Sequence, residues 1–243
     1  MKIEKIIEEV NAEIFKKSKH SSHYVPSKDL PFFLFRYNDF YVKVNLHIEK
    51  YYYEYRSSVT LDYFNEKLDF VRNSAGLNIR PFNSGSHYKY LKLEFSSLSS
   101  YNYTLYVSEE SSKKFSDDSI DIKSSLPVFV EFLDQINDKA IELVNKLDLI
   151  KLHEVMNLGV EYDFPSYSYN YENSIVFAYF NDKNNIEKYL EKYQKKASVF
   201  ENEESIIDYN KVVKYICNDL GINSGFYLAK RMWYHKLLSK FNL

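Results

Sequence analysis

Three side chains around one predicted strand have the residue types, and part of the spacing, that a divalent metal site needs. Asp39 directly precedes the alternating segment 40–48, and His47 and Glu49 lie two positions apart along the strand. Side chains at positions i and i+2 of a strand project from the same face of the sheet, so His47 and Glu49 could share a metal ion. This pattern favours a metal-dependent nuclease or phosphodiesterase with Asp39, His47 and Glu49 as its catalytic residues.

The same strand lacks the lysine that would activate water in such an enzyme. Nucleases with an E-x-K element place the lysine two residues after the acid, on the same face of the strand. Here Lys50 is adjacent to Glu49 and is expected to project from the opposite face. The leading prediction is therefore a protein with no catalytic residues, no cofactor and no metal, and the metal-dependent enzyme stays as the alternative.

Tyrosines alternate along the predicted strands within 41–55 and 88–106, in a chain that has 24 Tyr. Tyr offers a large, rigid contact area at a small cost in conformational entropy, and it is enriched among the residues that dominate binding energy. We therefore predict a protein partner that contacts the sheet. The predicted partner-binding tyrosines are Tyr41, Tyr51, Tyr53, Tyr55, Tyr88 and Tyr90.

A biased genome is the competing explanation for these tyrosines. Lys outnumbers Arg by 27 to 5, and the abundant residues Lys, Asn, Ile, Tyr and Phe all have AT-rich codons. The gene is thus expected to come from a low-GC bacterium, or from a phage or mobile element of one. Codon bias alone would also place extra tyrosine at sheet edges, so both explanations stay open.

The C-terminal segment is basic and amphipathic. No acid follows Asp219, and large apolar residues recur at helical spacing through the predicted helix 223–241. Such a helix can bind nucleic acid, an anionic membrane surface or an acidic protein groove, or it can pack on the core. The residues that we predict to contact a partner here are Lys230, Arg231, Trp233 and Lys236. Nucleic-acid binding through this helix is the second alternative function.

Composition excludes several classes of protein. With 45% hydrophobic residues and a formal net charge of −2 over 243 residues, the chain is too apolar and too weakly charged to be disordered. A single Cys excludes a disulfide framework and a thiolate zinc cluster, and five scattered Gly leave no glycine-rich phosphate loop. No apolar run approaches the roughly 18 residues of a membrane span, and the N-terminus is unlike a signal peptide, so we expect a cytoplasmic protein.

The elements that must position these residues segregate along the chain. Apolar residues at helical spacing predict helices at 2–19 and 60–74, and alternation of apolar and polar residues predicts strands. The predicted strands are 32–37, 40–48, 51–55, 77–82, 87–95 and 101–107, of which the last two form a hairpin. Asn38 and Asp39 supply a turn between the first two strands.

Helical patterns dominate the rest of the chain. Ser125 is predicted to cap a helix that has Pro127 in its first turn, and an apolar strand is predicted at 174–180. The further predicted helices are 149–158, 186–196, 205–220 and 223–241. We therefore predict an α+β fold: an N-terminal helix and an antiparallel, Tyr-rich sheet, followed by a helical C-terminal half.

The predicted domains are 1–110, a Ser- and Asp-rich loop or linker at 111–124, and 125–243, or else one compact domain in which 125–243 joins 1–110. Together these patterns predict a non-catalytic cytosolic interaction protein that binds and occludes a macromolecular partner. A regulator or inhibitor encoded by a phage or mobile element, acting in a conflict with host defence, fits this description.

Overall fold

The computed structural model describes residues 3–27, 30–51, 54–84, 101–106, 122–160, 171–200 and 202–230. These residues form two compact units. The described residues within 1–63 and 83–146 make up the first unit, and those within 64–82, 147–163 and 167–243 make up the second. The helices and strands confirm the predicted α+β fold, with the sheet in the N-terminal half and a helical C-terminal half.

Six strands of the described residues form one sheet. They are β1 (Tyr24–Val25), β2 (Phe32–Tyr37), β3 (Phe40–Tyr51), β4 (Glu54–Asn65), β5 (Asn83–Ser84) and β6 (Tyr101–Tyr106). Their order is β1-β2-β3-β4, and both β5 and β6 pair antiparallel with β4. The predicted turn at Asn38 and Asp39 joins β2 to β3, and Asn38 has a φ of 51°, a conformation that Asn tolerates better than most residues.

Seven α-helices lie within the described residues. They are α1 (Ile3–Lys17), α2 (Glu66–Ser74), α3 (Ile122–Lys146), α4 (Leu149–His153), α5 (Tyr171–Asn181), α6 (Ile186–Phe200) and α7 (Glu203–Leu220). α4 continues into a π-helical turn (Glu154–Leu158), which ends at Gly159 in the left-handed conformation with a φ of 73°. Glycine adopts this φ without a steric penalty, and the predicted end of the helix at Gly159 is confirmed.

The core of the first unit lies on one face of the sheet. The β2–β3 register places Phe33 opposite Val44 and Phe35 opposite Val42, and all four side chains are buried. α1 and α3 pack against each other and against the sheet. Because side chains alternate along a strand, covering one face with helices leaves the polar positions of β2 and β3 on the other.

Polar contacts hold the end of α1 to α3. Ser18 donates a hydrogen bond to Asp134 over 2.5 Å, and the Lys19 amide donates to the same carboxylate over 3.1 Å. Lys19 Nζ and His20 Nε2 both reach Asp138, at 2.5 and 2.9 Å. These contacts fix the chain at the point where it leaves α1 and turns toward β1.

The structure corrects the prediction of a strand at 174–180, because this segment lies inside the helix α5. Ile175, Val176, Phe177 and Ala178 are all fully buried. A helix surrounded by other elements is apolar on every side, so its sequence has no helical period and resembles a buried strand. In the second unit α5 contacts α2, α4, α6 and α7, which places it at the centre.

The predicted helix at 60–74 is correct only in its second half. Residues 60–65 complete the strand β4, and α2 begins at Glu66. Val59, Leu61 and Tyr63 are buried at alternate positions, as a strand requires, although Leu61, Phe64 and Leu68 also fit a helical spacing. Asn65 marks the change, because its side chain accepts hydrogen bonds from the amides of Lys67 and Leu68.

Other boundaries differ from the predictions as well. Residues 77–81 form no regular element and the short strand is Asn83–Ser84, while α3 begins at Ile122 rather than at Ser125. Within the predicted C-terminal helix, Ser224–Phe226 form a 3-10 turn and 227–230 are not helical. Three predicted segments lie outside the described residues: the strand 87–95, residues 111–121 of the linker 111–124, and residues 231–241 of the C-terminal helix.

The two compact units do not follow the order of the chain. α3 belongs to the unit that contains the sheet, whereas residues 64–82, which carry α2, belong to the helical unit. The reason is that α3 covers the sheet, while α2 packs against α5 and α7. Proximity in sequence therefore does not decide which core a helix joins.

The cap at Asn65 gives a test of the strand-to-helix junction. Asn65→Ala should lower the free energy of unfolding by about 1 kcal/mol relative to Asn65→Ser, because Ser and Ala are similar in size and only Ser can accept the amide hydrogen bonds. Urea unfolding followed by circular dichroism measures the difference. Equal stability of the two variants would contradict the role assigned to the cap.

Candidate functional site

The polar face of the sheet is the side opposite the buried face, and it carries one of the predicted partner-binding tyrosines. Arg36 of β2 lies opposite Tyr41 of β3 in the register, and Leu34 lies opposite Lys43. The described members of the polar face are Phe32, Leu34, Arg36, Tyr41, Lys43, Asn45, His47, Thr60 and Asp62.

Two cations of the polar face lie over aromatic rings. The guanidinium carbon of Arg36 is 5.1 Å from the centre of the Tyr41 ring, and Lys43 Nζ is 5.3 Å from the centre of the Phe32 ring. Arg36 is exposed and Tyr41 is half-buried. Attraction between a cation and a ring face favours conformations in which these long side chains lie against the sheet.

A hydrogen-bonded group occupies the β3–β4 part of the polar face. The Asn45 amide donates to Asp62 over 2.7 Å, and His47 Nε2 lies 3.2 Å from the Thr60 hydroxyl oxygen. Asn45 is 5% exposed, so its amide needs a hydrogen-bond partner inside the protein. The carboxylate of Asp62 is that partner.

Two of the predicted metal ligands, Asp39 and His47, lie far apart. Asp39 lies in the turn and His47 lies eight residues later along an extended strand, so the two are about 25 Å apart. Glu49 belongs to β3, but its side chain is outside the described part of the chain. Within the described residues no group of three or more His, Cys, Asp or Glu could hold a metal ion.

The other predicted partner-binding residues are described only in part. Tyr51 and Tyr55 belong to β3 and β4, but their side chains are not described. The residues Tyr53, Tyr88, Tyr90, Arg231, Trp233 and Lys236 lie outside the described ranges. Lys230 is exposed, and its amide donates to Ser198 Oγ over 3.0 Å.

A buried ion-pair cluster in the second unit was not predicted from the sequence. Arg72 of α2 contacts Glu172 of α5, and the two side chains are 2% and 1% exposed. Arg80 Nη2 reaches the other oxygen of Glu172 at 3.0 Å, and Asp208 of α7 lies 3.6 Å from Arg72. Burial lowers the pKa of Arg72, and the positive charge of Arg80 lowers it further. The carboxylates around Arg72 offset the cost of burying its charge.

A second polar cluster surrounds the π-helical turn of the same unit. The Asn157 amide nitrogen donates to the Ser174 carbonyl and to His153 Nδ1, both over 3.0 Å. The Asn157 side-chain oxygen accepts from the Tyr193 hydroxyl over 2.9 Å. Since Nδ1 accepts a hydrogen bond here, the proton of neutral His153 is on Nε2. Burial lowers the pKa of His153, which favours this neutral form.

An open cleft of about 350 Å³ lies beside the π-helical turn, entirely within the second unit. We call it the α6 cleft. Its lining residues are Leu158, Asp182, Asn185, Lys188, Tyr189 and Lys192. The ring of Tyr189 packs edge-on against buried His153, with 5.5 Å between the ring centres. No motif in the sequence indicates this cleft, because its residues come from three separate elements.

The buried ion pair gives a stability test. Arg72→Met should lower the free energy of unfolding by about 3 kcal/mol, because Glu172 then keeps its charge in a buried site without the guanidinium of Arg72 beside it. Replacing both Arg72 and Glu172 with Met should lower the free energy of unfolding by less than Arg72→Met alone. Lys183→Met, at the exposed Lys183–Asp219 pair, is the control and should leave the urea midpoint unchanged.

His153 gives a pH test. The pKa of His153 in the folded chain lies below its ordinary value of 6.5, so the unfolded chain binds more protons as the pH falls through that value. Stability should therefore fall between pH 7 and pH 5, and His153→Gln should reduce this fall. Urea midpoints of the wild type and of His153→Gln at several pH values measure this change in stability. An unchanged slope in His153→Gln would contradict the assignment.

Comparison with known proteins finds no relative. No protein-family model, no curated protein and no solved structure matches the chain significantly. In the described part of the chain, no helix is both long and apolar enough to cross a membrane.

Proposed function

We propose that the protein is a non-catalytic interaction protein that binds a partner protein through the polar face of the sheet. The observation that carries the proposal is the position of the Arg36 guanidinium over the Tyr41 ring, on two paired strands. Arg and Tyr are, together with Trp, enriched among the residues that dominate binding energy at protein interfaces.

The strands support this proposal because they place the two side chains before binding. Ordering a long side chain at an interface costs about 0.5–1.5 kcal/mol, and part of this cost is already met when the guanidinium rests on the ring.

A regulator or inhibitor that occludes its partner fits this surface, because an ordered sheet face can cover a patch on another protein without any chemistry of its own. The low-GC composition of the sequence is the basis for proposing a phage or mobile element as its source.

The test is an affinity pull-down, in which the tagged full chain is used to recover a partner protein from a lysate of the cells that carry its gene. Arg36→Ala combined with Tyr41→Ala should weaken binding of the recovered protein by about 30-fold or more, since loss of an interface hot spot costs about 2 kcal/mol or more. The matched control is Lys183→Ala with Tyr179→Ala, which removes a similar cation–aromatic pair of 5.2 Å from the second unit.

The control should bind as tightly as the wild type. Three outcomes would contradict the proposal: no protein recovered in stoichiometric amount, equal binding by the Arg36/Tyr41 variant, or recovery of nucleic acid in place of protein. If the recovered nucleic acid no longer bound to a variant with both Lys230→Glu and Lys236→Glu, the nucleic-acid alternative would be favoured.

A further inference from the structure

We propose that the α6 cleft binds a small phosphorylated ligand, whose phosphate is held by the ammonium groups of Lys188 and Lys192. The cleft lies in the second unit and none of its residues belongs to the polar face of the sheet. The proposal is therefore independent of the interaction function and can fail or succeed separately.

The two lysines are placed to act on one group. Lys188 and Lys192 are four residues apart on α6, so they lie one turn apart on the same side of the helix, and both line the cleft. Burial lowers the pKa of Lys192, and the charge of Lys196, one turn further along, lowers it further. Like charges in such a row repel each other, and a bound anion would relieve the repulsion.

The acidic residue of the cleft is already engaged with neutral donors. One carboxylate oxygen of Asp182 accepts from the Asn185 amide over 2.9 Å, and the other accepts from the Tyr189 hydroxyl over 2.8 Å. These two hydrogen bonds lower the pKa of Asp182. Among the described residues Lys188 forms neither a hydrogen bond nor an ion pair, although its charge also helps to lower the pKa of Asp182. The N–H bonds of its ammonium group are therefore available to a ligand in the cleft.

Lys192 is held in place by the π-helical turn. Its ammonium group donates to the carbonyl of Asn157 over 2.9 Å. This carbonyl belongs to the last turn of the helix, where carbonyl groups lack helical partners and the helix dipole is negative. Only one of the three N–H bonds of Lys192 is used in this contact, so a fixed cation with two remaining donors borders the cleft.

Size and lining indicate what the rest of the ligand must be. A volume of about 350 Å³ is at the lower end of the range for small-molecule sites. Leu158 lines the cleft and is 59% exposed, so it offers an apolar surface that an organic group could cover. Lysine binds phosphate as a point charge, and a pair of lysines suits a doubly charged phosphate monoester better than a singly charged carboxylate.

The experiment is calorimetric titration of the full chain with phenyl phosphate, inorganic phosphate and benzoate at fixed ionic strength. Phenyl phosphate should bind most tightly, inorganic phosphate more weakly because it leaves Leu158 uncovered, and benzoate weakest. Lys188→Gln should weaken the binding of phenyl phosphate at least tenfold. Lys192→Gln should weaken it as well.

The matched control is Lys195→Gln, an exposed position on the same helix that does not line the cleft, and it should bind like the wild type. The proposal would be overturned if phenyl phosphate did not bind at millimolar concentration, if benzoate bound as tightly, or if Lys188→Gln and Lys195→Gln behaved alike. Circular dichroism of each variant confirms that it is folded.

Discussion

Burial of one face of the sheet beneath α1 and α3 is the constraint on which the surface of the first unit depends. Side chains alternate along a strand, so a shift of one residue in the pairing of β2 with β3 would expose either Phe33 and Phe35 or Val42 and Val44 to water. The free energy of burying these side chains, about 1.5–3 kcal/mol each, therefore fixes the register. The same register sets Arg36 beside Tyr41, so the energy that stabilises the fold also builds the proposed binding surface.

The second unit is organised around polar groups inside an apolar core. Arg72 and Glu172 join α2 to α5, and the contacts of Asn157 join the π-helical turn to α5 and α6. Charges and amides have strict geometric requirements, so these contacts specify one arrangement of helices that apolar packing alone would leave less defined. The same arrangement fixes Lys192 at the end of the π-helical turn and so shapes the α6 cleft.

Local patterns predicted the sheet far better than they predicted the sites. The bounds of β2 and the alternation along β3 follow from residues that are neighbours in sequence. α5 was predicted as a strand because a helix buried on every side has no polar face to reveal its period. Tyr41 was expected at a surface, but its pairing with Arg36 depends on the register, and Arg72 meets Glu172 across 100 residues of chain. No spacing rule in a single sequence connects residues so far apart.

The central claim is that a partner protein lies against the polar face of the sheet. Site-specific photo-cross-linking tests it most directly: a benzophenone amino acid replaces Arg36 in one variant and Lys183 in another, and each is irradiated with the partner. The account predicts a covalent adduct from position 36 and none from position 183. An adduct from position 183 alone would contradict it.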